Sequence, residues 1–491
     1  MKVPLYAIAG VATSCVAFLF GMDTGSIGPI TTMSSFKETF GDFSATVHGV
    51  IVSTILIPGA LTALIAGTLA HRFGHVKLIA IGSIIFGIGA ALECGAPYLG
   101  VFILGRLIKG IGEGLFLSNV YVQVSEMSPS SVRGIMTALP QFLITSGIVT
   151  GYFTCYGTSR LGNTSLTWRL PPAIVAFLGF FLSIIYFIVP PSPRWLLSKG
   201  RVEEAQAVCR RLGIDEVEEK ELLGQAESFG ESEVTMTLWE SLRQTFREFK
   251  TAFSAPYWKR TAFACFIMGI QQFSGIDGVL YYAPILFTQA GLSGEKASFL
   301  ASGVSAIVIL VATIPATIFA DKWGRRTSGI VGGVLITSLM LIMGSVYAAG
   351  QVHPTWGSGR WVVIVCIYLF AISFSFTWAI GFRTWVVESM PRKTRSSASS
   401  LAQSSNWASN LDLTLLSSLL ICQQLANYVV ALITPVLISK STFGAYYLFA
   451  FCSMFCTIMV FLFMGETKGY SLEEIEKRHG QNRSKSIPWN L

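Results

Sequence analysis

Charge is what this sequence has least of. Only 13% of its 491 residues are Asp, Glu, Lys or Arg, against 52% hydrophobic, too few polar side chains to coat a soluble globule of this size. Metal-ligand spacing is missing too: the nine cysteines are scattered, most of them inside apolar stretches, where they read as small packing residues. No metal cluster, nucleophile elbow or phosphate loop occurs, so neither an enzyme nor a bound cofactor is expected. No small-residue cleavage site follows the first apolar stretch, and no removable signal peptide is expected.

What is present is apolar sequence in membrane-length pieces. A spanning helix needs about 20 mostly apolar residues, and twelve such pieces begin near Tyr6, Val47, Leu78, Val101, Ile135, Pro171, Thr261, Ser298, Gly329, Trp361, Ser397 and Phe443. An all-α membrane protein of twelve transmembrane helices follows. The net charge of +8 resides in short connectors such as "HRFGHVK", "DKWGRR" and "PRKTR", not along one soluble face. Topogenesis explains that pattern and nucleic acid does not. It places the basic connectors and both termini in the cytoplasm, and Asn163, in "NTS", in an outside loop as a glycosylation acceptor.

Between the sixth and seventh pieces, residues 191–258 are rich in charge and helical in period, a cytoplasmic linker. The sequence repeats itself across it: "GTLAHRFGH" answers "ATIFADKWGRR", and "EMSPSSVRG" answers "ESMPRKTRS". A same-direction repeat of six spans predicts two six-helix bundles about an axis normal to the membrane, with a central site between them. The expected division is 1–190, the linker 191–258, 259–465, and a cytoplasmic tail 466–491.

One residue breaks the apolar rule early. Asp23, in "FLFGMDTGSIG", sits inside the first span, and a buried acid there demands a function and a partner. Arg106, opening "GRLIKG" in the fourth span, is the expected partner. Lys109 and Glu113, at i,i+4 spacing, are expected to satisfy each other, with Glu113 as an auxiliary acceptor in the alternative. Burial favours a protonated Asp23 and pairing favours the ionised form, so separating the pair would take up a proton.

Seven segments in register carry a resemblance that covers nearly the whole chain: "GMDTGSIG", "GRLIKGIGEG", "SEMSPSSVRG", "PPSPRWLL", "QQFSGIDGVLYYAPILF", "ADKWGRR" and "GETKGYSLEEIE". The chain resembles the sugar porter family of the major facilitator superfamily, in its fungal proton-coupled form. The resemblance implies import of a hexose or pentose with a proton by alternating access, in a monomer of the plasma membrane, with Asp23 and Arg106 as the coupling pair. It further implies sugar contacts from Gln141, Gln271, Gln272, Asp277, Asn406, Trp407 and Asn427. Tyr281, Tyr282 and Pro284 are expected to gate the outer side. Glu126, Arg133, Asp321, Arg325, Arg326, Glu388 and Arg395 are expected to form a cytoplasmic latch between the bundles. A passive facilitator in which Asp23 and Arg106 are a fixed bridge, a polyol or sugar-acid carrier, and a sugar sensor remain alternatives.

The sequence departs from the family pattern in places. Asp277 stands where an amide is usual, and Arg383 falls near the family's Gly-Pro and tryptophan positions, where it is expected to snorkel to the cytoplasmic face. His71, His75 and Pro191 replace latch charges, the histidines being expected as solvated loop residues. Seventeen residues, 408–424, interrupt "SLAQSSNW" and "LANYVVALITP". A helix from Ala398 to Pro435 would run about 57 Å against a hydrocarbon core of about 30 Å, so the stretch is expected to be a retained intron, a real extension being the alternative.

Overall fold

The computed structural model describes residues 4–129, 132–215, 219–220, 222–223, 240, 243, 258–292, 294–319, 323–353, 356–389 and 412–468, without the side chains of 260, 295–296, 317–319, 387–389 and 412–421. Helices account for nearly all of them. The first half runs α1 (Leu5–Thr32), α2 (Ser34–Phe40), α3 (Ala45–Ser53), α4 (Leu56–Phe73), α5 (His75–Gly95), α6 (Leu99–Met127), α7 (Arg133–Thr158), α8 (Leu166–Leu182) and α9 (Ile185–Ile188). Two short helices, α10 (Pro193–Ser198) and α11 (Val202–Leu212), begin the polar segment. The second half runs α12 (Trp258–Ile270), α13 (Ile276–Gln289), α14 (Glu295–Phe319), α15 (Arg325–Ala348), α16 (Gly359–Phe376), α17 (Trp378–Ser389), α18 (Asp412–Lys440) and α19 (Thr442–Phe463).

Eleven stretches of the described residues are long and apolar enough to cross a membrane, α3 with α4, α8 with α9, α12 with α13 and α16 with α17 each forming one of them. The twelfth is α6, 29 residues long but carrying Arg106, Lys109 and Glu113 in its middle. Phenylalanines such as Phe177, Phe181, Phe187 and Phe451 stand exposed on the outer surface, as a lipid-facing wall requires. The expected eleventh start, near Ser397, lies outside the described residues. The helix described there covers Asp412–Lys440, so the second part of the 408–424 stretch is helical and continuous with Leu425 onward.

Within the first half α5 lies along α6 and α8, α1 along α7, and α4 along α6; within the second, α15 lies along α19 and α16, and α12 along α18. Helices in lipid gain their association from close backbone approach, which small residues permit. On α5 and α6 that approach is extreme: a Cβ on Gly89 would sit 2.6 Å from the Gly105 carbonyl oxygen. The halves touch each other through α1 against α13, α7 against α14, and α3 and α4 against α18. Call the end carrying α10 and α11 the linker end. By strict alternation of spans, the closest contacts between halves (Gly28 to Tyr281, Tyr152 to Leu280, Gly49 to Leu432) fall toward the opposite, far end.

The described start of the polar segment is helical. Helix α11 has Glu203 and Glu204 in its first turn and Arg210 and Arg211 in its last, and stops at Gly213 in the left-handed region. It buries only Ala205, Val208, Cys209 and Leu212, the single apolar stripe of a helix lying in water.

Candidate functional site

Four charged side chains meet in the core of the first half, each almost wholly buried: Asp23 at 5% exposure, and Glu93, Arg106 and Lys109 at 1% each. Arg106 Nη1 donates to Asp23 Oδ2 at 3.2 Å, and its Nη2 donates to the Val52 carbonyl at 2.9 Å. The expected partnership of Asp23 with Arg106 is therefore present. Lys109 does not pair with Glu113. Its ammonium donates to Asp23 Oδ1 and, at 2.6 Å, to Glu93 Oε2, because the tight α5–α6 packing presents Glu93 to it directly. Glu113 lies nearer the other half and accepts from Gln424 Nε2 of α18 at 3.3 Å. Glu93 escaped the sequence reading, although it too is an acid within an apolar run, "ALECG", the signal that singled out Asp23.

The second group forms where α12 breaks. Gln271 ends the helix, a tight turn covers Gln272–Ser274, and Gly275 at φ 86° restarts the chain as α13, a conformation glycine adopts without cost. The break turns Gln271 and Gln272 into the protein interior at 2% and 3% exposure. Gln272 donates to Asp277 Oδ2. Among the described residues Gln271 Oε1 and Asn427 Oδ1 are buried without a hydrogen-bond partner, and the Tyr281 side chain faces Asn427. Gln141 accepts from the Tyr121 hydroxyl at 3.2 Å and from Arg383 Nη1 at 3.0 Å. Arg383 thus crosses to the first half instead of snorkelling, since its position on α17 brings the guanidinium within 3.0 Å of an amide acceptor on α7. Buried acceptors left unsatisfied cost free energy, and an amide-lined centre of this kind suits a ligand that brings hydroxyls.

Toward the far end, the two tyrosines split their tasks. Tyr282 leaves helical geometry at φ −111°, ψ 16°, donates to the Ala431 carbonyl at 2.6 Å, and packs edge-on to His48 at 5.3 Å between ring centres. His48 in turn shares a 2.8 Å hydrogen bond with Thr31. Pro284 has no amide hydrogen for the Leu280 carbonyl, and that carbonyl accepts the Tyr152 hydroxyl from the first half. Tyr281 brings its own carbonyl to within 1.9 Å of where a Cβ on Gly28 would stand. His48, Tyr152 and Gly28 were absent from the expected gate.

At the linker end, the described contacts of the expected latch run within each half. Glu126 accepts from the Ser192 hydroxyl and lies 3.9 Å from His75 Nε2. Arg133 Nε donates to the Ser128 carbonyl at 3.1 Å. The backbone amides of Arg325 and Arg326 donate to Glu466 at 2.8 and 3.1 Å, so Glu466, not singled out for this end, caps α15. His75 is a correction: it is buried, bonded to Asn119 at 2.8 Å, because α5 starts at His75 itself and turns the ring onto α6. Asp321, Arg395, Asn406 and Trp407 lie outside the described residues, as does the side chain of Glu388.

Asn163 is exposed, donates to Glu38 and accepts from Ser34 at 3.3 Å. Cys94 and Cys155 form no disulfide with one another.

Comparison with known proteins agrees with this architecture. The family described as sugar (and other) transporter matches residues 9–478. The glucose transporter GlcP of Staphylococcus epidermidis is 32% identical, over 93% of this chain and 94% of that protein. The high-affinity glucose transporter of Kluyveromyces lactis is 27% identical, over 96% and 84%. Among solved structures, the partially occluded, inward-open xylose transporter XylE of E. coli superposes with a TM-score of 0.73 at 23% identity, over 96% of this chain and all of that one. The chain is a multi-pass membrane protein, not an enzyme, and belongs to the sugar transporter family of the major facilitator superfamily.

Proposed function

We propose that this chain imports a monosaccharide, a hexose or pentose, together with a proton by alternating access. The observation that carries the sugar assignment is the pair of buried, unpartnered acceptors, Gln271 Oε1 and Asn427 Oδ1, beside Gln272, Asp277 and Gln141. A sugar supplies donors to those oxygens and takes bonds from the amide hydrogens. Relatives named as glucose transporters support a hexose.

Proton coupling draws its support from the buried acids around Arg106. Sugar binding that moves the two halves relative to one another alters the surroundings of these acids, and with them the proton affinity of the cluster. The far end is the outer face in this reading, with both termini in the cytoplasm, residues 1–190 and 259–465 as the moving bundles, and 191–258 joining them. The Glu126, Arg133, Asp321, Arg325, Arg326, Glu388 and Arg395 set closes the linker end in the opposite state. Asn163 then lies outside, available to a glycan, and the carrier works as a monomer in the plasma membrane.

The second reading is a passive facilitator, favoured by the clamping of Asp23 between two cations, as a fixed bridge would have it. Uptake of labelled hexoses, pentoses, polyols and sugar acids into cells lacking their own carriers, with and without a protonophore, separates the two. Accumulation above the outside concentration that collapses with protonophore is expected. Equilibration indifferent to protonophore would establish the facilitator, and preference for a sugar acid would assign Arg383 to the substrate.

A further inference from the structure

The buried charges on α1, α5 and α6 do not balance. Asp23, Glu93 and Glu113 are three carboxylates; Arg106 and Lys109 are two cations, and all five are at most 5% exposed. An uncompensated charge in so dry a place is strongly disfavoured. The balanced state of the cluster therefore contains one proton on one of the three acids.

Geometry distinguishes them. Asp23 touches both cations, Arg106 at 3.2 Å and Lys109 by a short contact. Glu93 holds Lys109 at 2.6 Å and has Arg106 at 3.9 Å. Glu113 has no ion pair among the described residues: its Oε1 accepts the neutral amide of Gln424, and its Oε2, fully buried, has no hydrogen-bond partner. The charged and titratable groups around it are Asp23 from α1, Arg106 and Lys109 from α6 itself, and Tyr281 from α13. Arg106 and Lys109 are both committed to Asp23 and Glu93.

We propose that Glu113, and not Asp23, holds the transported proton, with Asp23, Glu93, Arg106 and Lys109 forming a fixed neutral quartet beside it. Glu113 is also the acid of the cluster that reaches the other half. Its bond to Gln424 joins the two bundles at mid-membrane, so parting them changes the surroundings of the proton site directly. That gives rocking of the halves a way to set proton affinity without breaking the Asp23–Arg106 pair. The proposal rests on the symport reading for the word "transported"; the location of the proton does not depend on it.

The test uses conservative swaps that leave the count of charges unchanged. In infrared spectra of the reconstituted full chain at neutral pH, a protonated carboxyl gives a C=O stretch whose frequency differs between Asp and Glu. The expected result is one such band that shifts in E113D, vanishes in E113Q, and stays in place in D23E and E93D. A band that moves with D23E or E93D, or no band at all, overturns the proposal. In transport assays E113Q is expected to keep sugar counterflow, which needs no net proton, and to lose accumulation driven by a pH gradient. Should the wild-type protein itself fail to accumulate sugar, symport is refuted while the infrared result still locates the proton; should E113Q accumulate as wild type does, the proposal falls and symport stands.

Discussion

The Tyr152 hydroxyl donates to the carbonyl of Leu280, the backbone oxygen that Pro284 leaves without an amide four residues on. One proline thereby creates an acceptor on α13, and one tyrosine on α7 uses it to fasten the halves at the far end. Y152F removes this bond alone. A net hydrogen bond contributes about 1 kcal/mol, so the ratio of closed to open at the far end should fall roughly fivefold. A cysteine introduced beside Tyr281 and probed with a membrane-impermeant thiol reagent should react faster by about that factor; an unchanged rate would remove Tyr152 from the gate.

Gly28 at the same end has no room for a side chain, since its Cβ would meet the Tyr281 carbonyl oxygen at 1.9 Å. G28V should hold the two halves apart at the far end. Sugar exchange is expected to fall at least tenfold while sugar binding from that side persists, measured as counterflow against ligand-induced quenching of tryptophan fluorescence. Wild-type transport in G28V would mean that closure here is dispensable.

Lys109 sits between Asp23 and Glu93, and removing one member of a buried ionic group costs roughly 3–5 kcal/mol because the others are left uncompensated. K109M should lower the unfolding temperature in detergent markedly. Adding E93Q to K109M should restore part of the loss, a coupling of about 1–3 kcal/mol. Strict additivity of the two changes would show that Glu93 and Lys109 do not depend on one another.

The unpartnered amide oxygens at the centre are expected to be where substrate binds. Q271A and N427A should each raise KM about tenfold, the worth of roughly one hydrogen bond of 1.4 kcal/mol, with little effect of Q271A on thermal stability because its oxygen has no partner to lose among the described residues. A drop in stability without a change in KM would make both residues structural.

Residues 408–424 call for a measurement on nucleic acid. Transcripts that join the codon of Trp407 directly to that of Leu425 would establish the retained intron and remove Gln424, and with it the bond between Glu113 and the second half. Reads that carry the seventeen intervening codons throughout would establish the segment as part of the protein, and with it Gln424 as the partner of Glu113.

The sequence was legible where the physics is local. Length and apolarity alone set the spans, the internal repeat set two like halves, and the early acid announced a buried pair with Arg106. It misled where the outcome depended on which neighbour stood closer. Lys109 has Glu113 one turn away along its own helix, yet close approach of α5 offered Glu93 and Asp23 instead. Arg383 reads as a snorkelling residue, yet the packing of the halves turns it onto Gln141 of the opposite one. His75 reads as a loop residue until the start of α5 is placed.

By itself, then, the sequence determined that the chain crosses the membrane about a dozen times in two related halves, because the cost of exposing polar backbone to lipid leaves no other solution. Only the tertiary structure decided the wiring of the buried charges. The three acids and two bases stand on α1, α5 and α6, and which of them pair is fixed by how near these helices come, a distance that no single segment encodes.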